Sequence, residues 1–137
     1  MLLTENEFGK TESKRILVAE DNAALARVVQ FNMERAGYDV TVAPNGQIAL
    51  DHVTRQQFDL IITDQQMPVM TGIDLCEKAR YVAGYASVPV ILLTAKGLEL
   101  DLPRLQEELG IAAVSAKPFS PLDLVQTVDS LLNAATY

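Results

Sequence analysis

Short apolar runs alternate with amphipathic stretches along this chain, and that alternation leaves few folds open. Ile16-Leu17-Val18-Ala19, Leu60-Ile61-Ile62-Thr63 and Val90-Ile91-Leu92-Leu93-Thr94 are brief, β-branched and apolar at both alternations. Runs of this kind suit strands buried on two faces. Val40-Thr41-Val42-Ala43 and Ala112-Ala113-Val114-Ser115-Ala116 are weaker candidates of the same type. Between them the apolar residues fall near the helical repeat. Leu25, Val28, Val29 and Met33 follow Asn22; Ile48, Ala49, Leu50 and Val53 follow Asn45-Gly46; Ile73, Leu75, Cys76 and Ala79 follow Thr71-Gly72. A fourth helix is expected after Asp101, with Pro103 in its first turn and Gly110 past its end. A fifth opens at Ser120-Pro121, with Leu122, Val125, Val128, Leu131 and Leu132 inward. Strand then helix, repeated, implies a parallel sheet with helices on both faces, since crossovers between parallel strands are right-handed.

The chain has 137 residues, the size of one domain. Residues 1–14 show no period and read as a flexible arm, and residues 15–135 read as the folded unit. Gly84–Val88 and Lys96–Leu100 are the expected irregular segments, and Asn133–Tyr137 a frayed end. Eleven Lys and Arg against 18 Asp and Glu give a formal charge of −7. An acidic domain lacks the basic face that nucleic acid or an anionic membrane requires. The single cysteine, Cys76, excludes an intrachain disulfide and a cysteine-based zinc site. No apolar run approaches the roughly 20 residues of a spanning helix. The expected setting is the cytoplasm.

The polar residues stand where the strands end. Glu20-Asp21 follows the first run, Asp64-Gln65-Gln66 the third, Thr94 closes the fourth, and Lys117-Pro118-Phe119 follows the fifth. In an open parallel sheet those ends share one edge, and ligands bind in the crevice beyond it. Three carboxylates gathered there repel unless one is protonated or a cation joins them. Oxygen donors without His or Cys favour magnesium. Lysine adds a point charge for a phosphoryl oxygen, and threonine a donor. Metal, ammonium, hydroxyl and carboxylate nucleophile are the parts for handling a phosphoryl group.

Glu20-Asp21, Asp64-Gln-Gln-Met67-Pro68-Val-Met70-Thr-Gly72, Thr94-Ala95 and Lys117-Pro118-Phe119 together resemble the receiver domain of two-component response regulators, of the CheY-like kind. The resemblance runs from about Arg15 to Ala134. It implies an α/β, flavodoxin-like (βα)5 doubly wound fold with strand order 2-1-3-4-5. It implies Asp64 as phosphoacceptor, taking a phosphoryl group from a histidine kinase, a phosphotransfer protein or a small phosphodonor. Asp21 and Asp64 would ligate Mg2+, with Glu20 directly or through water and the main-chain carbonyl of Gln66 as a further ligand. Lys117 would pair with Asp64 and then with the phosphoryl oxygens, and Thr94 would move in to hydrogen-bond them. The Lys117–Pro118 bond resembles one that is cis in the family. Such a domain switches a downstream protein or effector domain and promotes only its own phosphorylation and dephosphorylation, without being a turnover enzyme. The face of helix four, strand five and helix five is the one it offers for a homodimer.

The chain departs from the family pattern in two places. Val114 stands three residues before Lys117, where receivers usually carry Tyr or Phe, so the usual aromatic readout is missing. Gly97 and Pro103 point to a short or displaced fourth helix, and the Thr94–Leu100 loop with the start of that helix is the expected switching element. Two other readings compete. One is a phosphate-independent pseudo-receiver that binds proteins, which Val114 motivates. The other is a magnesium-dependent phosphatase with an Asp nucleophile, which needs a second acid where this chain has Gln66. His52 reads as a surface residue, Cys76 as a buried inert thiol, Met67 and Met70 as packing, and Pro68 and Gly72 as shaping the loop.

Overall fold

The computed structural model describes residues 13–95 and 100–133. Most of the expected arm (residues 1–12), residues 96–99 of the expected switching loop, and residues 134–137 of the expected frayed end lie outside the described residues. Five strands and five helices alternate: β1 Arg15–Ala19, α1 Ala23–Arg35, β2 Asp39–Ala43, α2 Gly46–Arg55, β3 Leu60–Asp64, α3 Gly72–Ala79, β4 Val90–Thr94, α4 Leu102–Leu109, β5 Ile111–Ala116 and α5 Pro121–Asn133. All strand pairs are parallel and the sheet order is β2-β1-β3-β4-β5, as the resemblance implied.

The apolar runs are buried on both faces because successive side chains point to opposite sides of the sheet. Ile16, Val18, Ile62, Ile91 and Leu93 pack with Val29 and Met33 of α1 and Leu124 and Val128 of α5. Leu17, Ala19, Ile61 and Leu92 pack on the other face with Ala49, Val53, Leu75, Cys76 and Ala79 of α2 and α3. Each helix begins with a side-chain cap. Asn22, Asn45, Thr71, Asp101 and Ser120 accept from the backbone N–H three residues on, at 2.9–3.3 Å. Gly110 ends α4 in the left-handed conformation (φ 69°).

Three positions expected inward are not. Val28 (43% exposed), Ile48 (38%) and Leu122 (67%) stand at the surface, and Ala26 and Leu124 fill the core instead. The apolar stripe of α1 is wider than its contact with the sheet, and the surplus lines a groove beside the site. His52 is half-buried, edge-on to Phe58. Cys76 is buried, as expected, and burial pushes its thiol pKa up.

Arg80, at the end of α3, holds the irregular Gly84–Val88 segment and the end of α4 together. Its guanidinium donates to the carbonyls of Tyr85 (2.8 Å), Val88 (2.7 Å) and Leu109 (2.8 Å). Tyr85 is fully buried; its hydroxyl donates to Gln56 O (2.6 Å) and accepts from Phe58 N–H (2.8 Å). The half-buried Arg80 thus satisfies carbonyls that no strand or helix reaches. Arg80→Ala is expected to cost about 2–3 kcal/mol, read as a lower urea midpoint with an unchanged m-value.

Tyr38 ties the α1–β2 connection to α5 through a hydrogen bond from its hydroxyl to Asp129. Burial, that hydrogen bond and the charge of Asp129 push the phenol pKa up to about 12 from its ordinary 10.0. A raised folded-state pKa means that the proton is held more tightly in the native state. The associated stability is therefore complete below pH 10.0 and is lost as pH rises toward about 12. Ring-labelled tyrosine NMR should place the Tyr38 titration above that of an exposed tyrosine, and Tyr38→Phe should flatten the fall in stability over that window.

Candidate functional site

Strand register assembles the site. Ala19 of β1 is level with Thr63 of β3, so Glu20 and Asp64 leave neighbouring strands side by side. Asp64 is level with Leu93 of β4, which places Thr94 one residue further on. Thr94 is level with Ala116 of β5, and the Lys117 N–H donates to the Thr94 carbonyl at 2.7 Å. Residues spread over almost a hundred positions thereby share one sheet edge. The Lys117–Pro118 peptide bond is cis.

Glu20 (2% exposed), Asp64 (4%) and Thr94 (3%) are buried, and Asp21 is exposed at the rim. Lys117 Nζ lies 3.1 Å from Asp64 Oδ1 and 3.3 Å from Glu20 Oε1. One ammonium therefore serves two buried carboxylates. The contact with Glu20 is an ion pair, and apart from it the buried Glu20 Oε1 has no hydrogen-bond partner. The other oxygen, Glu20 Oε2, accepts from Asn22 N–H at 3.1 Å. Burial raises the Glu20 pKa; the Asn22 N–H opposes this, the charge of Asp64 adds to it, and Lys117 opposes it, with a net shift upward. Burial pulls the Lys117 pKa down, but its hydrogen bond to Asp64 and the charges of both carboxylates outweigh that and raise it.

Glu20, Asp21 and Asp64 each offer a carboxylate oxygen within 4.8 Å of the others. Three carboxylates against one ammonium leave two uncompensated negative charges, which matches a divalent cation. The orphaned Glu20 Oε1 is the kind of buried atom that a cation or its water would satisfy. The donor set is entirely oxygen, which suits a hard ion. Gln66 is exposed on the loop that follows Asp64.

Beside the site lies an open groove of about 610 Å³, lined by Ala24, Leu25 and Val28 of α1, by Ala95, and by Pro118 and Phe119 after Lys117. This accounts for the outward Val28 and the half-buried Leu25. Val114, level with Leu92, packs half-buried against the core under α3 and α4. Two contributors were not singled out from the sequence. Gln65 bonds the start of α3 through its side chain, and Arg80 bonds the end of α4. Neither bears a motif, and only tertiary contact reveals them.

The comparisons with known proteins agree with this geometry. Residues 16–129 match the response regulator receiver domain family. The chain is 37% identical over 120 residues to the alkaline phosphatase synthesis transcriptional regulatory protein PhoP of Bacillus subtilis, covering 88% of this chain and 49% of PhoP. It is 36% identical over 128 residues to the transcriptional regulatory protein ResD of the same organism, covering 93% of this chain and 51% of ResD. Among solved structures, the Vibrio cholerae chemotaxis protein CheY4 superposes with a TM-score of 0.81 at 28% identity, covering 88% of this chain and all of that one. The receiver domain of sensor histidine kinase PA1611 from Pseudomonas aeruginosa, with magnesium coordinated in its active-site cleft, superposes with a TM-score of 0.78 at 29% identity, covering 89% of this chain and 99% of that one. The chain belongs to the response regulator receiver family: it is a CheY-like receiver domain of two-component signalling. It spans about half the length of the curated relatives it matches.

Removing Lys117 would leave two buried carboxylates facing each other uncompensated. Lys117→Ala is expected to lower stability by about 1–3 kcal/mol at neutral pH, with part of the loss recovered as pH falls and the carboxylates take up protons. Urea melts of both proteins at pH 7 and pH 5 check this; an equal deficit at the two pH values would contradict it.

Proposed function

We propose that Asp64 is the phosphoacceptor and that the site works with Mg2+. The observation that carries this reading is the pairing of buried Asp64 with Lys117 beside an orphaned carboxylate oxygen, with the charge of one dication left uncompensated. The magnesium in the cleft of the PA1611 receiver supports it. Glu20, Asp21, Asp64 and the Gln66 main-chain carbonyl would hold the ion, which when bound supplies charge neutralisation to phosphoryl oxygens. An Asp64 carboxylate oxygen attacks the phosphorus of a phosphohistidine, the new O–P bond replaces the P–N bond, and the imidazole leaves with a proton from solvent. Lys117 then transfers its ion pair from the Asp64 carboxylate to a phosphoryl oxygen. Thr94, one residue beyond the level of Asp64, donates its hydroxyl to another.

The donor in this reading is a histidine kinase or phosphotransfer protein, and the apolar groove of α1, Pro118 and Phe119 gives it a footing next to Asp64. The receiver unit comprises residues 15–135, in keeping with the family match over 16–129. Downstream lies a partner protein or effector domain, and the transcriptional regulators that this chain resembles support an output in gene control. The acidic receiver would not itself bind nucleic acid. A homodimer through the α4–β5–α5 face belongs to the same proposal; no side chain of α4 is fully buried, which leaves that helix free to take part in such a contact. Among the described residues no helix is long and apolar enough to cross a membrane, and we place the protein in the cytoplasm.

Incubation with acetyl phosphate, or with beryllofluoride, in the presence of Mg2+ tests the reading. One adduct is expected, seen by mass spectrometry for the phosphoryl group and by 19F NMR for beryllofluoride. It should be absent without Mg2+ and absent in Asp64→Asn. A full adduct in Asp64→Asn would reject the assignment, and no adduct on the wild type would favour a pseudo-receiver.

A further inference from the structure

The residue after Asp64 holds the following loop at three points. The Gln65 N–H donates to Leu93 O at 2.8 Å, continuing the β3–β4 pairing one step past Asp64. Its carbonyl accepts from Gly72 N–H at 3.1 Å, and its side-chain oxygen accepts from Ile73 N–H at 2.8 Å. Both donors belong to the first turn of α3, where no acceptor within the helix can reach them. Thr71 and Asp74 close the same turn as a capping box.

The loop enclosed by these bonds is not relaxed. Val69 has φ 75° and is 89% exposed, so neither packing nor a side-chain partner favours its left-handed backbone. Such a conformation persists only where its surroundings over-determine it. Met67 and Met70 are buried on either side of it, and Met70 N–H bonds Pro68 O at 2.8 Å. At the far end, a Cβ on Gly72 would lie 2.6 Å from Asp64 O, so α3 starts against the phosphoacceptor's own peptide group.

We propose that Gln65 is a positioning residue for phosphoryl acceptance: its side-chain bond to Ile73 N–H locks the strained 66–70 loop, and with it the backbone of Gln66, at a fixed place relative to Asp64. The proposal rests on the reading above, in which the Gln66 carbonyl serves the cation. A side chain reaching from the strand end to the helix start ties together the two ends of the segment that carries this ligand. Backbone bonds alone leave Ile73 N–H unsatisfied, with the Gly72 N–H bond to the Gln65 carbonyl as the one remaining tie between Gln65 and the helix start.

Gln65→Leu removes the acceptor and keeps the bulk; Gln65→Glu keeps the acceptor. Hydrogen exchange on the metal-free protein and Mg2+ titration by amide NMR are measured together with urea melts. In Gln65→Leu, Ile73 N–H should exchange at least about fivefold faster and Mg2+ should bind about fivefold more weakly. Gln65→Glu should restore the Ile73 protection. Wild-type exchange at Ile73 in Gln65→Leu overturns the lock. Faster exchange with wild-type Mg2+ affinity, or a lower urea midpoint as the sole change, overturns the positioning role. Should Gln65→Leu not fold, Gln65→Asn, whose shorter side chain cannot span the same gap, is measured against the same outcomes. A wild-type protein that takes up no Mg2+ overturns the cation reading and the positioning role with it, and the exchange arm still separates that failure from failure of the lock.

Discussion

At the carboxyl edge of the sheet one ammonium faces two carboxylates that have been taken out of water. Glu20 and Asp64 are almost fully buried, and Lys117 reaches an oxygen of each. Buried charge is tolerated only when compensated, so the chain must keep Lys117 there. The compensation is incomplete: with Asp21 at the rim, three carboxylates face one ammonium and two negatives remain, and one oxygen has no hydrogen-bond partner. In the proposed reading a site in that condition would hold a dication and would offer an arriving phosphoryl group that cation and two donors. The scaffold serves this arrangement. Strand register sets the carboxylates side by side, and the β4–β5 pairing brings Lys117 within reach.

The surroundings divide into a firmly held part and a lightly held part. The β3–α3 loop is bonded at both ends by Gln65, packed by two methionines and closed by a capping box. The end of α4 is bonded by Arg80. By contrast, α4 itself buries no side chain completely. The half of the site that holds Asp64 is thus tied at several points, whereas α4 is held by its Asp101 cap, by the partly buried Leu105 and Leu109, and by Arg80 at its end. If Asp64 is the acceptor, as proposed, the charge would arrive on a loop bonded at both ends and beside a helix that buries no side chain completely. Val114 leaves no large ring on β5 to move in concert with Thr94.

Much of this was legible in the residues. The three strongest apolar runs became β1, β3 and β4 because a strand covered on both faces has no polar alternation to obscure it, and the two weaker runs became the half-buried edge strands β2 and β5. Asp101 and Ser120 were readable as starts of α4 and α5, Asn22, Asn45 and Thr71 as points where the first three helical stretches open, and Gly110 as the stop of α4, because capping is a local interaction. The short α4 was expected from Gly97 and Pro103; Pro103 stands in its first turn, and Gly97 lies outside the described residues. What failed was the assignment of individual apolar residues to the core. Val28, Ile48 and Leu122 carry the helical period but face outward, since the width of a buried stripe depends on what packs against it. Gln65 and Arg80 carry no local signal, because their partners lie across a loop or on another element.

The sequence by itself determined the class of fold and the inventory of the site. Periodicity dictates which segments are strands and helices, and the parallel sheet that their alternation implies puts Glu20, Asp21, Asp64, Thr94 and Lys117 at one edge. Only the tertiary structure decided how that inventory is wired: that Lys117 is divided between Glu20 and Asp64, that one Glu20 oxygen is orphaned, and that Gln65 ties the loop to α3. Those facts depend on distances of about 3 Å between groups far apart in the chain. Such distances are fixed by packing and register, which composition and spacing constrain only to the level of a neighbourhood.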